Sequence, residues 1–202
     1  LENLDLSAVA AASLISRAFD LTGPYMVVDA ACASSMQAMV LGIRSLLRGR
    51  IDMAIVGGAS CFRSDNLVLF SAAQSVSPTK SRPFCLDADG LVTSEGYVVL
   101  ALKTLDRALA DGDRIRAVIR AFGVSSDGKG KSLWAPREEG QKLAVMRAYG
   151  KNVDAARLQY IEAHATSTQL GDATELRALG AALNELLPPG HAKIPIGSAK
   201  GN

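Results

Sequence analysis

A cysteine, a histidine, a lysine and a pair of carboxylates carry most of the chemistry open to this sequence. Cys32 stands in Asp29-Ala30-Ala31-Cys32-Ala33-Ser34-Ser35. A run of small residues gives the backbone room for a sharp strand-to-helix turn, and a side chain at such a turn points out of the sheet, as nucleophiles on such elbows do. The turn also puts the sulfur at a helix N-terminus, where partial positive charge favours the reactive thiolate and free amides can bind an oxyanion. A buried structural cysteine competes with this reading, because free cysteine often serves as core.

His164 lies in Glu162-Ala163-His164-Ala165-Thr166-Ser167-Thr168, at the end of an apolar run that reads as a buried strand. Residues at the carboxyl ends of parallel strands line the ligand crevice of open α/β sheets. A cysteine and a histidine at two strand ends could therefore converge in space, as they do in cysteine-nucleophile enzymes; a hydrogen-bonded edge histidine is the plainer alternative. The second histidine, His191, sits in a Pro/Gly loop with no partner in view. Asp172 and Glu175 have the spacing of a helix cap and its capping-box partner, and on spacing alone that reading leads. Lys200, in Gly197-Ser198-Ala199-Lys200, taken alone reads as a solvated surface lysine. Cys61 and Cys85 carry no motif and read as packing residues.

The elements that must position these residues follow from apolar periodicity and breakers. Helical spacing over 6–19 ends at Thr22-Gly23-Pro24. Tyr25–Asp29 is short, apolar and β-branched, which predicts a strand. Met36, Met39, Val40, Ile43, Leu46 and Leu47 predict a helix from Cys32 to about Arg48, stopped by Gly49. Met53–Val56 predicts a second strand, closed by Gly57-Gly58. Strand, helix and strand in that order imply a βαβ unit and a parallel sheet. Further along, helices are predicted at 64–76, 105–110, 138–149 and 172–187, and strands at 97–102, 115–124, 158–163 and 194–197. Polar loops cover 77–90 and 125–136. The last strand enters a loop and the sequence stops at Asn202, which reads as truncation.

Length and composition narrow the classes. The 202 residues suffice for one sizeable core, and 49% are apolar. A net charge of +2 with 5% aromatics gives no field or stacking platform for nucleic acid. No apolar stretch reaches the roughly 18 to 20 residues of a membrane span, and the first residues lack the pattern of a signal peptide. Three cysteines without regular spacing speak against a disulfide framework and for a reducing, cytoplasmic compartment. No CxxC pair or His/Cys cluster suggests a metal.

In their order, these segments resemble the β-ketoacyl synthases, the condensing enzymes of fatty-acid and polyketide synthesis. Leu21-Thr22-Gly23-Pro24 through Ala31-Cys32-Ala33-Ser34-Ser35 resembles the family's active-site cysteine segment, followed by Gly57-Gly58. Ser81-Arg82-Pro83-Phe84 with Asp89-Gly90 and Glu95-Gly96 resembles a second signature, and Ser126-Asp127-Gly128 with Ala135-Pro136 a third. Glu162-Ala163-His164 with Thr166, Thr168 and Gly171-Asp172 resembles the first active-site histidine segment. Gly197-Ser198-Ala199-Lys200 with Asn202 resembles the opening of the lysine segment. The sequence departs from the family at Cys85, where Asp is usual, and at Ser94, Ala165 and Ser167, where Gly is usual. These changes point to a subgroup closer to modular or iterative polyketide synthases than to housekeeping fatty-acid enzymes.

The resemblance implies a layered α/β/α/β/α thiolase-like fold, of which residues 1–202 form a partial domain, and a homodimer. It implies that Cys32 accepts an acyl group from the phosphopantetheine thioester of acyl carrier protein. A malonyl thioester on the carrier then loses carbon dioxide and its carbanion attacks the Cys32 thioester. His164 would stabilise the enolate oxygen, Thr166 and Thr168 would contact the pantetheine arm, and Lys200 would orient the site, held by Asp172 and Glu175. No metal or bound cofactor is implied. The family's second histidine is expected three positions past Asn202, so the fragment by itself is expected to be inactive. A coenzyme-A-linked thiolase and a non-catalytic docking subunit are the competing readings. The family's non-elongating relatives replace the cysteine, which favours catalysis here.

Overall fold

Small residues let helix and strand approach closely around the cysteine turn. In the computed structural model, which describes residues 8–61, 64–130, 135–150 and 153–201, the chain forms two units. Leu1–Cys61 with Glu95–Val118 makes the first, and Phe62–Ser94 with Ile119–Asn202 the second. Residues 6–7 of the expected first helix, 131–134 of the expected loop, and Asn202 of the lysine segment lie outside the described residues.

The first unit contains α1 (Ala8–Ala18), α2 (Ser34–Leu47), β1 (Ala54–Ser60), β2 (Gly96–Leu102) and α4 (Leu105–Ala110). Its core joins Leu46 of α2 to Ala54 and Val56 of β1, with Met39, Ile51 and Leu102 packed around them. Burying each larger aliphatic contributes roughly 1.5–3 kcal/mol. β1 pairs antiparallel with β2, from Ala54 opposite Leu102 to Ser60 opposite Gly96.

Three sequence expectations fail here. Tyr25–Asp29 is not a strand, so the expected parallel βαβ around the cysteine is absent among the described residues. Ile115–Val124 is not a strand either. Both runs have the apolar, β-branched composition of strands, but that composition only describes fitness for a ladder. Without a ladder partner among the described residues, Met26 and Val118 stay exposed. Gly57-Gly58, read as a stop, lies inside β1. A Cβ at Gly57 would strike the Val98 carbonyl oxygen, and one at Gly58 would lie 2.9 Å from Ser35 Cβ. These glycines mark close approach, the other meaning of glycine in a strand.

The second unit contains α3 (Ser64–Ala72), α5 (Glu138–Tyr149), β3 (Ile161–Glu162), α6 (Gln169–Leu186) and β4 (Ile196–Gly197). β3 and β4 are parallel, pairing Ile161 with Ile196 and Glu162 with Gly197. With α6 as crossover they form a βαβ unit, so the parallel pairing expected from the sequence exists around the histidine. α6 begins at Gln169 rather than 172 and packs on α5, tied by Arg177–Glu138 at 3.2 Å and by Lys142–Glu185. Its buried positions are Asp172, Thr174, Ala178 and Ala182, while Leu176 of the expected leucine stripe is exposed. Small residues on that face suit a close helix contact.

Candidate functional site

Cys32 is exposed at the centre of a 3-10 turn, Ala31–Ala33, that leads into α2. The turn is bent by Ala31, whose φ of 49° lies in the left-handed region that non-glycine residues rarely adopt. Two side chains hold the bend. Asp29 Oδ1 accepts from the Ala31 amide at 3.0 Å. Ser34 Oγ accepts from the Ala30 amide at 2.9 Å and donates to the Ala31 carbonyl at 2.6 Å. The sharp turn at a helix N-terminus expected from the small-residue run is present, although no strand precedes it among the described residues. Cys32 is exposed in this structure and is not part of the core of its unit.

The second unit gathers the other expected site residues around one turn, 164–168, between β3 and α6. Lys200 Nζ lies 3.1 Å from His164 Nδ1. An ammonium only donates, so Nδ1 is the acceptor and the neutral ring carries its proton on Nε2. His164 is exposed, yet enough protein surrounds the ring that loss of water is the main cause lowering its pKa. The Lys200 charge lowers it further, against smaller opposing effects of Glu175 and Asp172. Loss of water and the lysine charge both favour the neutral ring, and the Lys200 bond to Nδ1 leaves Nε2–H available as a donor. Thr166 and Thr168 share a hydroxyl–hydroxyl hydrogen bond of 2.9 Å. Gly171 lies beneath them, where a Cβ would strike Thr168 Oγ1 and come within 3.1 Å of Thr166 Oγ1.

Asp172 and Glu175 do different work from that expected. Neither caps α6, whose N-cap is Thr168, and neither bonds Lys200. Glu175 accepts the backbone amides of His164 at 2.7 Å and Ala165 at 2.8 Å. Asp172, buried, accepts the amides of Ser167 at 3.1 Å and Phe84 at 2.7 Å. The physical reason is the turn's backbone. Ala165 and Ser167 have φ of 42° and 64°, so their amides project toward α6 instead of into a ladder, and the carboxylates take them up. The usual glycines of the resembled family match this conformation.

Several contributors escaped the sequence reading. Glu162 accepts the Ala199 amide at 2.8 Å, which anchors the 3-10 turn Ala199–Gly201 bearing Lys200, and its other oxygen accepts from Tyr160 Oη at 3.0 Å. Ser167 is fully buried, and its hydroxyl accepts the Arg82 amide at 2.7 Å. Arg82 in turn pairs with Asp87 at 3.0 Å and Asp89 at 2.9 Å, and the carboxyl of Asp89 is held below its usual pKa by Ser77 and Arg82. The signal available was the pair of non-glycine residues alternating with threonines in Ala165-Thr166-Ser167-Thr168. Cys61 and Cys85, read as packing residues, are both exposed. Cys61 Sγ instead meets Tyr97 Oη at 2.7 Å across the β1–β2 ladder, because the β1 residues beyond the core turn to solvent.

Among the described residues no group of three or more His, Cys, Asp or Glu could hold a metal ion. Among them also, no helix is long and apolar enough to cross a membrane.

Comparison with known proteins gives concordant matches. Residues 3–108 match the family model of the β-ketoacyl synthase N-terminal domain, and residues 116–202 that of the C-terminal domain. The chain is 40% identical over 191 residues to 6-methylsalicylic acid synthase of Aspergillus terreus, covering 93% of this chain and 10% of that protein. It is 37% identical over 194 residues to the highly reducing polyketide synthase cnsI of Penicillium expansum, covering 95% of this chain and 8% of that protein. Among solved structures it superimposes on the ketosynthase from module 6 of the bacillaene synthase of Bacillus subtilis 168 with a TM-score of 0.91 and 33% identity. That match covers 97% of this chain and 36% of the other. The thiolase-like α/β fold expected from the sequence is thereby present. The chain spans about a tenth of the length of the curated relatives it matches.

Proposed function

Given that the chain belongs to the β-ketoacyl synthase family, we propose that it is part of a ketosynthase domain in a longer polyketide-type synthase, working in the cytoplasm. In this reading the Cys32 sulfur attacks the acyl carbon of a carrier-bound thioester and expels the pantetheine thiol. A malonyl thioester on acyl carrier protein then loses carbon dioxide. The resulting enolate carbon attacks the Cys32 acyl carbon, the sulfur leaves as thiolate, and a β-ketoacyl thioester remains on the carrier. Phosphopantetheine arrives with the substrate, Thr166 and Thr168 contact it, and the domain pairs as a homodimer.

The observation that carries this reading is the bond from Lys200 to His164 Nδ1 at 3.1 Å. It leaves a neutral ring with a donor at Nε2, the group needed to hydrogen-bond an enolate oxygen as the charge develops. Loss of water around the ring and the lysine charge both lower its pKa. Asp172 and Glu175 support this role indirectly by fixing the turn. To test the reading, the full-length protein is incubated with acyl thioesters and digested for mass spectrometry. Acyl mass is expected on the Cys32 peptide, and its absence in a folded protein refutes the assignment. Cys32→Ala should abolish condensation.

A further inference from the structure

Ser167 stands in a backbone conformation that costs free energy for any side chain. Its φ of 64° is left-handed, and strain of this kind persists only where surrounding bonds over-determine it. Here every polar group of the residue is engaged. Its amide donates to Asp172 Oδ1 at 3.1 Å, its carbonyl accepts the Gly90 amide at 2.8 Å, and its hydroxyl accepts the Arg82 amide at 2.7 Å. The side chain is fully buried, so no water replaces a lost partner. A glycine would meet the backbone requirement without strain but could not make the third bond.

That third bond bears on the histidine and the lysine. Ser167 holds the Arg82 amide, and Asp172 holds the Phe84 amide at 2.7 Å. Pro83, between them, packs against the turn carrying Lys200. A Cβ placed on Gly201 would lie 3.1 Å from both Pro83 Cδ and Cγ. From the other side, Lys200 reaches His164 at 3.1 Å. The residues thus close a circuit: His164 turn, Ser167, Arg82–Phe84, the 199–201 turn, Lys200, and back to His164.

We propose that Ser167 is a positioning residue, whose hydroxyl clamps Arg82–Phe84 so that Pro83 keeps the Lys200 turn in contact with His164. The inference rests on the function proposed above. Loosening the clamp lets Lys200 withdraw. The charged groups acting on His164 are then Glu175 and Asp172, both of which favour the imidazolium. The protonation midpoint of His164 should move upward.

The test compares Ser167→Ala and Ser167→Gly with wild type in the full-length protein. Three quantities are read: carbon dioxide release from malonyl carrier protein across pH, acylation of Cys32, and hydrogen exchange of the Arg82 amide. Loss of one buried hydrogen bond predicts about a fivefold fall in kcat for release, at little changed KM. The acidic limb of the profile should move to higher pH, and the Arg82 amide should exchange faster. Cys32 acylation should keep its rate. Both variants should behave alike, although glycine relieves the strain and melts higher. Full activity in Ser167→Gly overturns the proposal, because backbone conformation would then be all that mattered. So does a parallel loss of acylation and release, which marks general destabilisation. A wild-type protein that releases no carbon dioxide refutes the proposed function instead, and unchanged Arg82 exchange in Ser167→Ala then separately refutes the clamp.

Discussion

Asp172 is the sharpest test of what holds the histidine turn. Its carboxylate is 4% exposed and accepts two backbone amides, Phe84 at 2.7 Å and Ser167 at 3.1 Å. Two effects oppose each other in Asp172→Asn. Neutralisation removes the cost of keeping a charge away from water. Against that, the new amide group has only one acceptor oxygen, so its nitrogen must face one of two N–H donors. A hydrogen bond to a charged group contributes about 1.5–3 kcal/mol, and an orphaned buried donor costs about 1–3 kcal/mol. The remaining bond also weakens to a neutral one. With two amides already solvating the carboxylate, the loss should win by about 3 kcal/mol. For a cooperative unit of about 150–250 residues that lowers Tm by about 6–12 °C. Asp172→Ala orphans both amides and should cost more, near 5 kcal/mol, against a total stability of about 5–15 kcal/mol. Thermal unfolding of the three proteins gives the ranking. An Asn variant as stable as wild type, or more so, would falsify the claim that the carboxylate serves the amides.

The pKa values of the two histidines are displaced in opposite directions. His164 is lowered below its ordinary value by burial and by Lys200, so the folded state binds fewer protons there and stability rises as pH climbs toward about 6.5. Lys200→Met should raise the His164 pKa, seen by NMR titration, and flatten that rise; no change in the titration would remove Lys200 from the account. His191 is raised, because its ring nitrogens face the carbonyl oxygens of Ala156 at 3.1 Å and Ala192 at 2.7 Å, and only the imidazolium donates to both. Its contribution is complete below the unfolded pKa and is lost as pH rises through the folded one. His191→Ala should therefore lower Tm more at about pH 5.5 than at about pH 8.5, and an equal loss at both would count against the double bond.

What could be read from residue order was the local grammar. The helix expected at 138–149 is Glu138–Tyr149, and the turn expected at Cys32 exists with the sulfur exposed. Both depend on interactions within a few residues, such as Ser34 reaching back to Ala30 and Ala31. The expected strands at Tyr25–Asp29 and Ile115–Val124 did not form, since a ladder depends on a partner far away in sequence. Gly57-Gly58 misled for a related reason: what forbids a side chain there is Val98 and Ser35, both remote or hidden from local pattern.

The carboxylates show where such reading ends. Asp172-x-x-Glu175 before an apolar run satisfies every local condition for a cap, and proximity to a lysine in the family pattern suggests an ion pair. Neither reading could see that Ala165 and Ser167 turn left-handed. In that turn the amides of His164, Ala165 and Ser167 face carboxylates of α6, as does the Phe84 amide from a separate segment, and backbone amides withdrawn from water must be satisfied. A carboxylate offers two oxygens and full charge, so one side chain can answer two amides at once. Glu175 and Asp172 each do so. Lys200 is left to donate a hydrogen bond to His164 Nδ1 at 3.1 Å, and that bond leaves the proton of the neutral ring on Nε2.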